Sequence, residues 1–564
     1  MPTDRNGVAA GAAMVDRPNI LILCIDQWDM HMELPDGVEL PAMRRLMQVG
    51  VTLDRHYCTV PICTPSRASM WTGLHAKRTP LWDNTNFAWI DDLPPGHATI
   101  GSMLREHGYY TAFKGKWHLN AQVPRSEEAL EPYGFADYQQ WGDPFGEPLE
   151  GAMLDGAVAF ETVDWLRHKR PSDQPWLLIS SLVNPHDIMY LRTAPEEQPH
   201  PNGAMASLLH HAQTLGFMRD FDVALPDNFD DDLEHQPYGV HSYKRNIEWN
   251  YGSIPEGRDD LWKARRTYLV NCMRLADLQC STVLDELDAQ DLWEDTVVIF
   301  TSDHGEMNGA HRMAQKGAIH FDEAAIVNMT AVVPGGPGGV RTSAVGSHLD
   351  LAPTVLALAG VDAEERRRRY PDLAGRDLSG VFTEPHRHAP RGSVEEPGDG
   401  ALVTWDGLNM LDPEWAIQGA LRDLIGLPPD PKLRARAMRE IGEQYGAPDF
   451  TKRTFFRAIV DGRYKLVRWF SPLEYDAPKD VEALYAHSDV TLHDLVEDPG
   501  ERENIGNPAH PDHDPQLVAR LLDKLNALIE RELVTDECPF DLEMFGTRDV
   551  TYRTGRVASR ERPR

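Results

Sequence analysis

The chain has 564 residues and a mass of 63.5 kDa, enough for one large α/β core and a smaller second domain. Its 88 Asp and Glu side chains against 56 Lys and Arg give a formal charge of -32. That balance excludes the basic footprint of general nucleic-acid binding, so an anionic substrate must be met by a local cluster of cations. Apolar residues make up 41% of the chain, and no run approaches membrane-spanning length.

The opening stretch, MPTDRNGVAAGAAMVDRPN, has no long apolar segment and does not read as a secretory signal. Six cysteines are scattered without a C-x-x-C pair, at positions 24, 58, 63, 272, 280 and 538. At this length and density they predict reduced thiols, not a disulfide framework. The expected location is the cytoplasm.

Asn19 to Ile25, NILILCI, is nearly all apolar and reads as a central strand covered on both faces. Asp26 and Gln27 follow it, at the carboxyl end where ligands collect in open α/β sheets. Pro41 to Gly50 reads as a helix stopped by a glycine. The run His56 to Gly73, HYCTVPICTPSRASMWTG, centres on Cys63-Thr64-Pro65-Ser66-Arg67. Taken alone, this is a turn closed by Pro65 and a following helix, with Ser66 near the cap and Arg67 exposed. Asn84 lies in GLHAKRTPLWDN, a stretch with the character of a turn.

Ile100 to His107 predicts a helix, and Phe113-Lys114-Gly115-Lys116-Trp117-His118-Leu119 a strand running into a loop. Asp155 to His168 and Pro175 to Val183 predict a helix and a buried strand, the latter leading straight to His186. Ile188 to Gly257 shows little periodicity and reads as an insertion beside a site, its acidic run Asp222 to Asp232 as a solvated face. Leu261 to Asp288 predicts a long amphipathic helix with Val270, Met273, Leu275, Leu278, Val283, Leu284 and Leu287 inward. Thr296 to Phe300 is another central strand, ending in Thr301-Ser302-Asp303-His304-Gly305-Glu306. Lys316 stands thirteen positions beyond Asp303. A strand at Met329 to Val333 and a helix at Ser347 to Gly360 follow. Phe455 to Phe470 carries a hairpin signal at Asp461-Gly462, Thr491 to Leu495 a further strand, and Asp514 to Val534 a closing helix.

The string CTPSRASMWTG, with GKWHL and the later G-x-x-x-G-x-H followed by a lysine, resembles the signatures of the formylglycine-dependent sulfatase family of the alkaline phosphatase superfamily. Gln27, Asn84 and Lys316 resemble its arylsulfatase and phosphonate monoester hydrolase branch; most sulfatases carry a second aspartate where this chain has Gln27. The resemblance implies a large mixed sheet flanked by helices and a smaller C-terminal α+β domain. The expected divisions are a catalytic domain over 17–370 with the insertion at about 188–257, a connecting or oligomer-contact region over 371–450, and a small-sheet subdomain with closing helix and tail over 451–564.

It also implies that Cys63 is oxidised to formylglycine by a formylglycine-generating enzyme, and that Asp26, Gln27, Asp303, His304 and residue 63 hold one divalent cation. Oxygen-rich ligation favours calcium, magnesium or manganese over structural zinc; calcium is the preferred expectation, with manganese the alternative. Lys116 and Lys316 are implied to hold the substrate anion, His118 to act as base, His186 to assist the leaving alcohol, Arg67 to fix the modified residue and Asn84 to touch substrate. The expected reaction is hydrolysis of a small anionic ester: an aryl sulfate, with a phosphonate monoester or phosphodiester as the alternative. Trp117, where the phosphonate hydrolases tend to have threonine, leans toward sulfate. A metal-binding module without turnover would keep the acidic residues but give no reason for CTPSR and GKWH. No nucleic-acid or membrane partner is expected; a homodimer or homotetramer is.

Overall fold

The computed structural model describes residues 16–204, 209–210, 216, 218–385 and 399–546. Thirteen strands are described. In chain order they are β1 (Asn19–Asp26), β2 (Val51–Tyr57), β3 (Tyr110–Gly115), β4 (Trp176–Pro185), β5 (Leu191–Arg192), β6 (Leu209–His210), β7 (Thr296–Ser302), β8 (Ile326–Val332), β9 (Val340–Ser347), β10 (Ala401–Trp405), β11 (Phe455–Val460), β12 (Tyr464–Phe470) and β13 (Asp489–Asp494). Seven form the main sheet in the order β3-β4-β1-β7-β8-β2-β9. All neighbours are parallel except at β8, which runs antiparallel to both β7 and β2.

Strand β1 shows why the central strands read as unbroken apolar runs. Ile20, Ile22 and Cys24 enter one buried layer, while Leu21, Leu23 and Ile25 enter the other. A strand with water on one face would alternate polar and apolar residues; one covered on both does not. The helices Pro41–Val49, Glu150–Asp164 and Asp259–Ala289 pack into the second layer, and Cys63–Thr72, Ile100–Glu106 and Leu351–Leu358 into the first.

The long helix Asp259–Ala289 differs from its predicted face in two places. Leu278 is 55% exposed and Leu275 only partly buried, while Cys272, Ala276 and Cys280 point inward. Over 31 residues the buried stripe of a 3.6-residue helix drifts, so a stripe drawn from leucines alone goes astray. All six cysteines are free.

The smaller sheet is antiparallel, in the order β10-β11-β12-β13, with the helix Pro515–Leu533 packed on it through Leu521, Leu525 and Leu528. The 371–450 stretch, expected as a connection, therefore supplies the edge strand β10. The insertion expected to lack periodicity contains the helix Tyr238–Tyr251. Among the described residues no helix is long and apolar enough to cross a membrane.

Candidate active site

Strands β1 and β7 are parallel neighbours, with Ile25 opposite Ser302. Their carboxyl ends therefore set Asp26-Gln27 and Asp303-His304 side by side. The third contributor is the helix Cys63–Thr72, which begins at Cys63 after extended Ile62, and every residue of which is buried. Arg67 is thus enclosed, not exposed as a lone turn-helix reading suggests. An unpaired guanidinium could not stay there. Its Nε meets Asp303 Oδ2 at 2.8 Å and its Nη2 meets Asp26 Oδ2 at 2.9 Å. Its Nη1 donates to the Lys116 carbonyl at 2.7 Å and to Ser181 Oγ at 2.9 Å.

This leaves the other carboxylate oxygens facing the centre. Asp26 Oδ1 lies 3.8 Å from Cys63 Sγ and 3.7 Å from His304 Nε2, and Asp303 Oδ1 lies 3.6 Å from the same imidazole nitrogen. Cys63 Sγ is 3.2 Å from His304 Nε2. The ligand atoms of Asp26, Cys63, Asp303 and His304 all lie within 4.8 Å of one another and all four residues are buried. Burial alone would raise the Asp26 carboxyl, but the Lys116 ammonium and the Arg67 guanidinium hold it well below the usual carboxylate range. Two carboxylates and an imidazole suit a hard divalent cation.

Gln27 sits at the rim of this group with a φ of 66°. Its amide nitrogen donates to Glu306 Oε2 at 2.5 Å, and its amide oxygen accepts from Lys316 Nζ. Glu306, three residues beyond Asp303, is fully buried and also accepts from Arg265 at 3.3 Å and from the Gln315 backbone at 2.8 Å. It braces Gln27 and, through it, Lys316. Nothing in the sequence reading marked it, although the acidic residue stands in the same DHGE string.

Lys116 Nζ lies 2.8 Å from Asp26 Oδ2. His118 follows at a φ of 57°, and neither ring nitrogen has a hydrogen-bond partner. Its segment is held from behind by Asp143, whose carboxylate accepts from the Trp117 and His118 backbone at 2.8 and 2.9 Å. No local motif pointed to Asp143. Trp117 itself turns away into the core, packing against Phe113, Tyr133 and Phe135 and donating to Asn120 at 2.8 Å. Its ring is not part of the site, so it carries no information about sulfate against phosphonate.

His186 follows β4 directly and is 4% exposed, with Nδ1 unpartnered. Burial, reinforced by Lys316 and Lys116, pushes this imidazole well below its usual pKa; burial with Lys116 and Arg67 does the same to His118. Both rings are neutral at pH 7. Asn84 accepts from the Thr64 backbone at 3.0 Å, at the start of the helix that carries Cys63, and lines the same cavity. His311 is remote from the cluster: it pairs with Asp231 at 2.6 Å and stacks on Phe321, tying the insertion to the loop. Asp231 is thereby drawn out of the acidic run expected as a solvated face.

The cluster opens into a cavity of about 130 Å³ whose walls include Cys63, His118, His186 and Lys316. One wall is bare main chain. Gly146, at a φ of +95°, lies so close that a Cβ there would stand 2.7 Å from His186 Cε1 and 2.9 Å from Lys116 Nζ. Its carbonyl accepts from Tyr190 at 2.8 Å and its N–H donates to Glu150 at 2.6 Å.

A protein-family model described as Sulfatase matches residues 18–361. The chain is 27% identical over 401 residues to the uncharacterized sulfatase YidJ of Escherichia coli (strain K12), covering 66% of this chain and 74% of that protein. It is 26% identical over 392 residues to arylsulfatase K of Gallus gallus, covering 67% and 69% of the two chains. The fold also matches the solved phosphonate monoester hydrolase of Silicibacter pomeroyi, with a TM-score of 0.61, 20% identity, and coverage of 92% and 96%.

Proposed function

Since the chain belongs to the sulfatase family, we propose that it hydrolyses sulfate monoesters, aryl sulfates foremost, using a formylglycine made from Cys63 and one divalent cation. The observation that carries this reading is the buried meeting of Asp26, Cys63, Asp303 and His304, with Cys63 lining a cavity that Lys316, His118 and His186 also line.

The donor set fits the cation. Arg67 takes the Oδ2 oxygens of both aspartates and leaves both Oδ1 oxygens toward His304. A bound ion, calcium by preference and manganese as the alternative, supplies Lewis acidity toward the ester oxygens. The Cys63 Sγ stands where the oxygens of a modified residue would be. As the hydrate, formylglycine supplies one hydroxyl as nucleophile and a second by which sulfate departs through carbon–oxygen cleavage. Conversion requires a formylglycine-generating enzyme during maturation.

This chain's own residues do the rest. Lys116 and Lys316 offer ammonium groups to the oxygens of the transferred anion, where charge must be balanced as the ester bond breaks. His118, neutral and with unpartnered ring nitrogens, is suited to take the proton of the second hydroxyl. His186 is suited to hydrogen-bond the leaving oxygen; an ester anion bound between Lys116 and Lys316 opposes the two charges that keep its ring neutral.

A second reading, phosphonate monoester or phosphodiester hydrolysis, is favoured by Gln27, which is held between Glu306 and Lys316 where a second aspartate is usual in sulfatases. The same residues serve either centre, and we expect turnover of both ester classes. Initial rates on an aryl sulfate and an aryl phenylphosphonate, with peptide mass analysis of residue 63, test the proposal. The expected result is a larger kcat/KM for the sulfate in protein carrying the aldehyde. A larger kcat/KM for the phosphonate overturns the ester assignment. Full activity with unmodified Cys63 overturns the nucleophile.

A further inference from the structure

Resting on the ester-hydrolase reading, His118 takes a proton from residue 63, so its ring must be aimed. A histidine that moves a proton is ordinarily aimed by a hydrogen bond on its other ring nitrogen. Among the described residues neither nitrogen of His118 has such a partner, although the side chain is buried. The aim must come from the backbone and from what walls the ring.

The backbone is held on both sides of the residue. The His118 N–H donates to Asp143 Oδ2 at 2.9 Å, and the Trp117 N–H donates to Oδ1 at 2.8 Å. The His118 carbonyl accepts from Thr64 Oγ1 at 3.0 Å, on the residue next to Cys63. Between these ties His118 adopts a φ of 57°, a conformation that a residue with a side chain keeps only where its surroundings impose it. Asp143 and the helix that carries Cys63 therefore grip one residue from opposite ends. Two N–H groups on two separate oxygens call for a carboxylate; an amide would face one of them with its own N–H groups.

The ring is walled by Phe145, two residues beyond Asp143. The ring centroids are 4.4 Å apart with the planes at 62°, and half-buried Phe145 lines the same cavity as Cys63. The turn that carries both residues is itself fastened. Gln139 donates to the carbonyls of Gly142 and Gly115 at 3.0 and 2.9 Å. Glu150 accepts from the Gly146 N–H at 2.6 Å, and Tyr190 donates to the Gly146 carbonyl at 2.8 Å.

We propose that Asp143 and Phe145 are positioning residues for His118, the first fixing its backbone and the second its ring. A ring nitrogen then meets the proton of the second hydroxyl. The O–H bonding pair closes the carbonyl as the carbon–oxygen bond to the departing anion breaks. Neither positioning residue handles the proton.

A double-mutant cycle on para-nitrophenyl sulfate tests this, because a residue that acts through His118 has nothing to act on once His118 is gone. With His118 present, Phe145→Ala should lower kcat about tenfold and Asp143→Asn about 10²-fold. In His118→Ala each should cost less than about twofold. Phe145→Leu, which keeps a wall beside the ring, should recover most of the loss. The proton moves after nitrophenol has left, so kcat/KM should fall far less than kcat. A burst of one nitrophenol per aldehyde should precede the slow turnover. In protein kept as Cys63, hydrogen exchange over the Trp117 and His118 amides should quicken in Asp143→Asn more than over β1. Equal losses with and without His118, or kcat/KM falling as far as kcat, overturn the inference and leave both residues structural. Unchanged exchange removes the backbone grip. If only the phosphonate is turned over, the same cycle on para-nitrophenyl phenylphosphonate decides, and the sulfate assignment alone is lost. Turnover of neither ester by aldehyde-bearing protein removes the hydrolase reading, while hydrogen exchange still decides the grip.

Discussion

Two buried groups of histidine and carboxylate occur among the described residues, and they differ in what their oxygens are doing. The first is Asp26, Cys63, Asp303 and His304; the second is His320, His493 and Glu501, also within 4.8 Å of one another. In the second, Glu501 spends Oε1 on Lys465 at 2.7 Å and Oε2 on the Asp322 backbone at 2.7 Å. Lys465 also reaches Asp322 Oδ1 at 2.5 Å and the His320 carbonyl at 2.9 Å. Its His493 ring is held by the Glu503 carbonyl at 3.0 Å and faces His320 at 3.4 Å. A fixed ammonium already neutralises that group, and it acts as a joint between the main sheet and strands β12 and β13. In the first group the cations bind the outer oxygens only. Residue types alone do not separate a site from a joint; an oxygen that no cation has taken does, and Asp303 Oδ1 meets only N–H groups of the adjoining chain, accepting from Gln27 at 3.2 Å and His304 at 2.9 Å.

The sharpest way to break this comparison is to remove one residue from each group. Cys63→Ala should lower kcat/KM by at least about 10³-fold, as loss of a nucleophile does, while leaving the thermal midpoint nearly unchanged. Retained turnover would place the chemistry elsewhere. Lys465→Met should do the reverse. It leaves Asp322 and Glu501 buried without their cation, at a cost of about 3–5 kcal/mol. Denaturant titration should show that loss, with kcat/KM per folded molecule unchanged. A large fall in turnover with unchanged stability would make the second group functional.

The smallest effect sharpens the boundary of the first group. Burial raises Asp143 from 3.8 to about 6, although the Trp117 and His118 N–H groups and Tyr138 favour its anion. A carboxyl with a raised folded pKa binds its proton more tightly folded than unfolded. Its contribution therefore favours folding at low pH and is lost as pH rises from about 4 through 6. Asp143→Asn should flatten that part of the stability–pH profile, measured by urea titration at pH 4, 5, 6 and 7. An unchanged slope would show that another group titrates there.

Much of this was legible in the chain because a strand buried on both faces announces itself as an apolar run. Asp26-Gln27 and Asp303-His304 stand at the ends of two such runs, and adjacency of β1 and β7 brings them together. The cavity walls were not legible. Asn409 and Ile425 come from a stretch with the composition of a connection, and Asn246 and Asn250 from an insertion without clear apolar periodicity. Asparagines there look like turn residues until the fold sets them in a cavity wall. Asp143 was silent for a similar reason: it serves two backbone N–H groups of a segment 25 and 26 positions away. Trp117 was conspicuous but points into the core, since sequence position does not give side-chain direction in a loop.

The main-chain wall at Gly146 bears on how such an active site can be re-engineered. A variant library that randomises the whole lining would spend its Gly146 members on displaced His186 and Lys116, because even a methyl group has no room there. Diversity is better confined to Asn409, Met410, Leu421 and Ile425, which reach the lining from a distant segment. The lining would then be recut at those side chains while the Gly146 backbone keeps His186 and Lys116 in register.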